Sequence, residues 1–464
     1  SGPVARSDTI GAVIADPVVG EVGDDNGQPV AGVDVRLTTQ GASVYATPDD
    51  ARRLYPPIDQ VTTDSNGRAT VWVRLGVVTG AAIVWAARDS DSDSLIFQIE
   101  AGAPVGITVL PSDTAVLAGA SYAFSVSVAD RARNPRPDAV GEVVASSVDP
   151  QVARLQDGVI SAISVGRAAF DFAAPTGQVR AYVSVVPHAE LALVTDAGLV
   201  LMETSRGQSQ VVTSTTVKCP QWRPDGERIL VDGLRLFTVQ GEMSRIDTGN
   251  GDLVAGCGRF TADGEWIYFS GRLDSEPDTA SQVWRVRADG AGLERVIMPP
   301  AGQYASNASP SPDGGRIMYH LGGTGPVVFD LATGAADTLA GSHAYALAWS
   351  PVDDWVLYTI NWCVLVWFIA PRDMVCSTEA FAAQVDGDER KWIRPAADLY
   401  PHHFLGGVTW SPDGVWVLGK AFYPDLRLML VNFATGEALP LNAATRAIRD
   451  YHLPAWRPRP AGDH

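Results

Sequence analysis

Asp89, Asp91, Asp93 and Glu100 stand at positions 1, 3, 5 and 12 of one segment, the spacing with which an acidic loop surrounds calcium. The segment departs from that loop twice. Ser94 occupies the place where the loop needs glycine, and Leu95 to Ile99 alternates like a strand instead of opening a helix. An acidic hairpin turn is the expectation. His402 and His403 are adjacent imidazoles, yet a metal site needs further ligands at spacings the sequence does not supply. They are expected on a solvated loop. No metal and no cofactor is therefore assigned. The Gly-x-Ser-x-Gly elbow of serine hydrolases, His-Glu-x-x-His, the Walker loop and the dinucleotide glycines are all missing from the sequence. The chain is expected not to be an enzyme, and no catalytic residue is named.

The four cysteines carry the remaining chemistry. Cys363 and Cys376 bracket a single insertion and would staple it in an oxidising compartment. Cys219 and Cys257 each lie three residues before an equivalent aromatic, Trp222 and Phe260. A disulfide between them needs Cα atoms within about 7 Å. A bond and two small buried thiols both remain open.

Positioning these residues is the task of a repeat. Trp222-Arg-Pro-Asp-Gly226, Phe260-Thr-Ala-Asp-Gly264, Pro310-Ser-Pro-Asp-Gly314, Trp349-Ser-Pro-Val-Asp353, Trp410-Ser-Pro-Asp-Gly414 and Trp456-Arg-Pro458 are separated by 38, 50, 39, 61 and 46 residues. Periods near ~40 signal propeller or solenoid architecture. Pro presets φ and Asp-Gly supplies a left-handed position, so each copy reads as a tight reversal between strands. Apolar strands follow, as in Trp266-Ile-Tyr-Phe269 and Arg316-Ile-Met-Tyr319, and four short strands per unit make a propeller blade. These residues resemble the TolB-like, WD40-like propeller repeats over roughly residues 188 to 460. The sixth copy stops at Pro458, while strand-like runs at Leu191–Thr195, Gly198–Met202 and Gln210–Thr213 precede the first. The N-terminal strands are expected to complete the last blade and close the circle, which removes open sheet edges.

The residues before this region follow another rhythm. Val19 to Val35, Thr62 to Val73 and Gly80 to Trp85 contain two Asn-Gly turns between alternating strands, a hairpin pattern. It resembles bacterial Ig-like domains of the invasin type. Ser146 to Ala153, Asp157-Gly-Val-Ile160 and Ser164-Val-Gly166 are similar to a second bacterial Ig-like group. The expected fold is all-β: Ig-like β-sandwiches at 1–102 and 103–187, then a six-bladed TolB-like β-propeller at 188–464. Such sandwiches usually act as spacers or binding arms.

A formal charge of −18 disfavours phosphate-backbone binding, since nucleic-acid affinity rests mainly on Lys and Arg, and no nucleic-acid partner is expected. The longest apolar run is about ten residues, well short of a membrane span. The start at Ser1-Gly-Pro leads to the expectation of a removed signal segment, with an upstream lipid anchor open. A periplasmic or cell-surface location follows. The functional clue is the insertion between the fourth and fifth copies, Asn361 to Cys376. Trp362, Val364, Leu365, Val366, Trp367, Phe368 and Ile369 form either a partner-docking loop or a lengthened strand packed in the blade core. The first alternative gives a non-catalytic scaffold, peripheral to the membrane, that docks by its propeller and Ig-like arms onto a membrane-protein assembly or envelope partner. The family resemblance implies similar work, because TolB binds lipoprotein and colicin partners through its propeller. An accessory subunit of a photosynthetic reaction-centre or antenna complex would be one such case, though no motif carries it. The competing class is a glycan- or peptide-binding, or hydrolysing, propeller that uses its central channel.

Overall fold

A computed structural model describes residues 6–205, 209–276, 280–341, 343–365, 374–394, 408–423, 425–444 and 454–458. The architecture is nearly all β, and the chain divides into two compact units. Unit 1 comprises residues 1–112, 123–146 and 170–181; unit 2 comprises 113–122, 147–169 and 182–464. The segment expected to form the second sandwich contributes to both.

In unit 1 a five-stranded sheet, ordered Arg6–Thr9, Asp91–Glu100, Gly80–Arg88, Asp34–Gln40, Gln60–Thr62, and a three-stranded sheet, ordered Val18–Glu21, Arg68–Leu75, Ala42–Tyr45, share one core. Alternation explains the partition: along Arg68–Leu75 every second residue is buried, ending with Val71, Val73 and Leu75. The two Asn-Gly turns are built alike. Asp24 Oδ1 accepts from Asn26 N and Gln28 N, and Asp64 Oδ1 accepts from Asn66 N and Arg68 N, with Gly27 and Gly67 at φ 75° and 71°. The Asp89 segment is the hairpin joining Gly80–Arg88 to Asp91–Glu100, and Arg88 pairs with Asp91.

Unit 1 also holds a buried polar knot. The Asp130 carboxylate, 3% exposed, accepts from Gly102 N, Ala132 N, Asn134 N and Asn134 Nδ2 at 2.8 to 2.9 Å. Asn134 passes the connection on, donating to Val77 O and accepting from Thr79 N. Burial would raise the Asp130 pKa, but the donors outweigh it and hold the group at about 2.

Unit 2 contains six four-stranded antiparallel sheets, numbered here I to VI by their first strands: Gln221–Trp222, Leu253–Phe260, Ala305–Pro310, Ala344–Trp349, Thr409–Trp410 and Ala455–Trp456. Each of the six repeat copies begins at the end of one of these strands. Sheets I to V are continuous meanders. Sheet VI joins distant parts of the chain, because Leu191 pairs with Trp456 and Ala192 with Ala455. Glu190–Thr195, Gly198–Glu203 and Ser209–Thr213 supply its other strands.

Six shared cores pack these sheets face to face in succession. Sheets I and II enclose Leu230, Ile267 and Phe269; II and III enclose Tyr268, Ala305 and Ile317; III and IV enclose Met318, Trp349 and Val356. Sheets IV and V share Leu357, Trp410 and Val417, sheets V and VI share Leu418, Leu430 and Leu191, and sheets VI and I share Val194, Leu201 and Ile229. The sequence of cores returns to its start, which is the construction of a β-propeller. The core between V and VI also takes in Ala115 and Val186, from strands that pair in parallel, Asp113–Leu117 beside the end of Gly177–Val186. Beside it, Glu437 Oε1 accepts from Arg167 N, and the Arg167 guanidinium reaches Asp113 at 3.1 Å.

Candidate functional site

The turn that ends each first strand has one design. In copies two, three and five a hydroxyl, Thr261, Ser311 or Ser411, donates to the motif aspartate, Asp263, Asp313 or Asp413, at 2.5 Å. The same hydroxyl accepts from the first amide of the next strand, Trp266, Arg316 or Trp416, at 2.8 to 3.1 Å. The carboxylate then takes the amide two residues on, from Glu265, Gly315 or Val415. Hydrogen bonding to the ionised form lowers the pKa of Asp263 and Asp313, the hydroxyl donor first. Copy one replaces the hydroxyl with Arg223, which ion-pairs with Asp225 at 3.1 Å. The motif acids are turn fasteners, which accounts for their recurrence without any catalytic demand.

Glycine completes the turn for two reasons. Gly226 has φ +73°, and a Cβ there would sit 3.2 Å from Pro458 O of the preceding copy. Copy six also clasps copy one: Arg457 donates to Gly226 O at 2.9 Å and to Glu190 at 2.5 Å, and its guanidinium lies 4.9 Å from the centre of the Trp222 ring.

Where the six turns converge they surround a cavity of about 1020 Å³. Trp222, Phe260, Pro310, Trp349, Trp410 and Trp456, the first residue of each copy, all line it. So do the residues one step earlier: Gln221, Arg259, Ser309, Ala348, Thr409 and Ala455. Arg259 is the single cation of that second set. It is part-buried, burial lowers its pKa to about 10, and its Nη1 lies 3.5 Å from Gln221 Oε1. The sequence reading passed over Arg259. Its signal was available, as the one charged residue at a position that is otherwise neutral in every copy.

The insertion takes a definite form. The second and third strands of sheet IV, Trp355–Leu365 and Met374–Gln384, run eleven residues each. Their neighbours stop early: Ala344–Trp349 pairs as far as Ile360, and Arg390–Ile393 covers Ala380 to Ala383. Beyond them Asn361 faces Thr378, Trp362 faces Ser377, Cys363 faces Cys376, Val364 faces Val375 and Leu365 faces Met374. Among the described residues these ten pair only with one another, so a two-stranded ribbon continues past the four-stranded blade. Trp362, Val364 and Leu365 lie on it. Val366, Trp367, Phe368 and Ile369 fall outside the described residues, as do His402 and His403.

Cys219 and Cys257 form a disulfide with Cα atoms 5.7 Å apart. It joins sheet I to sheet II at equivalent places, where the first strand is distorted. Cys219 has φ +52°, Asn307 at the same offset has φ +54°, and the ladder of sheet II shifts register between Ala255 and Gly258.

No family model matches the chain. An uncharacterized protein of Agrobacterium fabrum is 32% identical over 104 residues, 21% of this chain and 33% of that relative, so the chain spans about a third of the relative's length. Among solved structures, a putative TolB from Agrobacterium tumefaciens is 16% identical and covers 55% of this chain and 88% of its own, with a TM-score of 0.37. A structural genomics protein of unknown function from Bacteroides thetaiotaomicron is 13% identical, covering 76% of this chain and 93% of its own, with a TM-score of 0.38. At such scores these likenesses carry nothing about function. The propeller assignment rests on the sheets and cores of the chain itself.

Proposed function

We propose that the chain is an exported, non-catalytic scaffold. Two Ig-like sandwiches precede a six-bladed TolB-like propeller, and the protein docks onto a membrane-protein assembly or envelope partner. The observation that carries this reading is the ribbon of sheet IV. Its outer edges, along Asn361–Leu365 and Met374–Thr378, have no neighbouring strand among the described residues. Open edges are templates for pairing with another chain, and strand addition supplies affinity through the backbone. The apolar sequence from Trp362 to Ile369 gives such a contact area to bury. A periplasmic or cell-surface setting fits the Cys219–Cys257 disulfide, which persists in an oxidising compartment.

The test replaces residues 361–378 by Asn-Gly, joining Ile360 to Glu379, which already face each other. The shortened protein should melt within a few degrees of the parent yet fail to co-purify, in stoichiometric amount, with the membrane complex that retains the full chain. Equal retention of both proteins would remove the ribbon from the docking surface. Collapse of the shortened propeller would make the ribbon a part of the core.

A further inference from the structure

We infer that the root of the sheet IV ribbon is an acid-sensitive joint, with His320 as the group that opens it. His320 lies on the second strand of sheet III, where it pairs with Ser306 and Pro326, and it is 3% exposed. Across the seam its ring stacks on Tyr345, with centroids 4.8 Å apart and planes at 19°. Tyr345 in turn pairs with Thr359, and Ala344 with Ile360, the last pair of that ladder before the ribbon departs at Asn361. The imidazole therefore bears on the place where four strands become two.

Its surroundings suit the neutral ring. Nε2 lies 3.5 Å from the Tyr304 hydroxyl, and Nδ1 is buried with no hydrogen-bond partner among the described residues. An imidazolium carries a donor on each nitrogen, and burying its charge is costly unless it is paired. Aromatic rings are what the site offers: Tyr304 and Tyr345, 43% and 41% exposed, cover the imidazole, and Tyr358 belongs to the same core as Tyr345's neighbour Ala344. Tyr304 packs over Gly322, where a Cβ would strike its ring. By strand alternation the charged groups on the two facing surfaces are Arg316, Asp330 and Asp337 of sheet III and Glu379 and Arg390 of sheet IV, with Arg316 held by Asp386 at 2.6 Å. His343, just before Ala344, is exposed. His320 makes no ion pair or hydrogen bond with any of these groups.

The sign of the response follows. Burial lowers the His320 pKa from its ordinary 6.5, and the Ala344 backbone, which favours the charged form, is the weaker influence. The stability that the neutral ring contributes is complete above about 6.5 and is lost as pH falls toward the lowered folded value. Both covering tyrosines reach solvent, so a small parting of sheets III and IV hydrates the ring and admits the proton. The joint itself needs no partner; its use as a control that releases the ribbon's partner in acid rests on the docking reading above.

The experiment is hydrogen–deuterium exchange of the full chain from about pH 7.5 to about pH 5, with exchange times rescaled for the intrinsic pH dependence. One proton shifts an opening equilibrium by at most about tenfold per pH unit. Below pH 6.5 the amides of Ala344–Trp349 and of residues 357–361 should therefore lose up to about tenfold in protection per unit, while Glu190–Thr195 and Gly198–Glu203 of sheet VI keep theirs. His320→Gln and His320→Phe carry no titrating ring, and each should show protection at the sheet IV amides that does not fall with pH. No fall in the parent, or a fall shared by every sheet, would overturn the proposal without any variant having to fold; so would an equal fall in either folded variant. Retention on the membrane complex supplies a second readout, with the parent released in acid and His320→Gln retained. If the protein shortened at residues 361–378 is itself retained, the docking reading fails, and the exchange measurement still decides the joint.

Discussion

Replacing Trp456 with alanine should cost the propeller about 3 to 5 kcal/mol, the usual range for emptying a buried tryptophan site. The structure locates that loss. Trp456 is 8% exposed and belongs to the core that sheets V and VI share, with Leu191, Leu193, Met202, Trp416 and Leu418. Its strand contributes two register pairs, with the Arg457 N to Glu190 O bond of 2.8 Å just beyond them. Because the indole N–H is buried with no hydrogen-bond partner among the described residues, almost all of the effect must come from packing. Trp456→Phe should accordingly cost under about 2 kcal/mol, since it keeps an aromatic ring, empties only part of the site and gives up an unsatisfied donor. Urea unfolding of parent, Trp456→Ala and Trp456→Phe, followed by near-ultraviolet circular dichroism, measures both differences. A propeller of ordinary stability, about 5 to 15 kcal/mol, would register the larger one plainly. A Trp456→Ala loss below about 1 kcal/mol would refute the reasoning that this strand completes a shared core. Equal losses in the two variants would refute the attribution to packing.

Two further outcomes follow from the fold. The Cys219–Cys257 bond closes 38 residues, and loop entropy for that span amounts to about 4 kcal/mol, so the Cys219→Ser, Cys257→Ser double variant should lose up to that amount; identical urea midpoints with and without reductant would contradict it. Asp130 has a folded pKa lowered to about 2, so its stabilising effect is fully present above its unfolded value near ~3.9 and is lost as pH falls through about 2. Acid unfolding of unit 1 should then lose steepness between those limits in Asp130→Asn, which should also be less stable at pH 7. An unchanged acid profile in that variant would show that the knot around Asp130 does not respond to its charge.

Much of this fold could be read from residues because its signals are local. Pro-Asp-Gly turns depend on dihedral preferences within four residues, and all five complete copies of the repeat lie on strand reversals. The pairing of Leu191 with Trp456 was foreseeable from an incomplete last repeat and surplus strands ahead of the first. Arg259 was harder to see. Nothing in Gly258-Arg-Phe260 marks the arginine by itself; it stands out only when the six copies are aligned and the residue before each first position is compared. The insertion was also only half legible: its apolar residues suggested a loop or a core strand, whereas the described part is a paired ribbon whose edges have no neighbouring strand among the described residues, because the flanking strands stop short of it. The distribution of residues 113–122, 147–169 and 182–186 into unit 2 had no local signal, because it depends on contacts such as Ala115 with the core of sheets V and VI.

Sheet VI also sets an order of events. Sheets I to V each form from consecutive residues, so each can assemble as soon as its own stretch of chain is available. Sheet VI cannot, since the Glu190–Arg457 ion pair spans 267 residues. Its three early strands must wait with one edge uncovered while the other five sheets are made. That interval is when the chain is most exposed to wrong pairing, with itself or with a neighbour, and chain length sets its duration. The closing strand is therefore a timer as well as a clasp: a chain released before Trp456 emerges would leave the ring open at the edge where Leu191 waits.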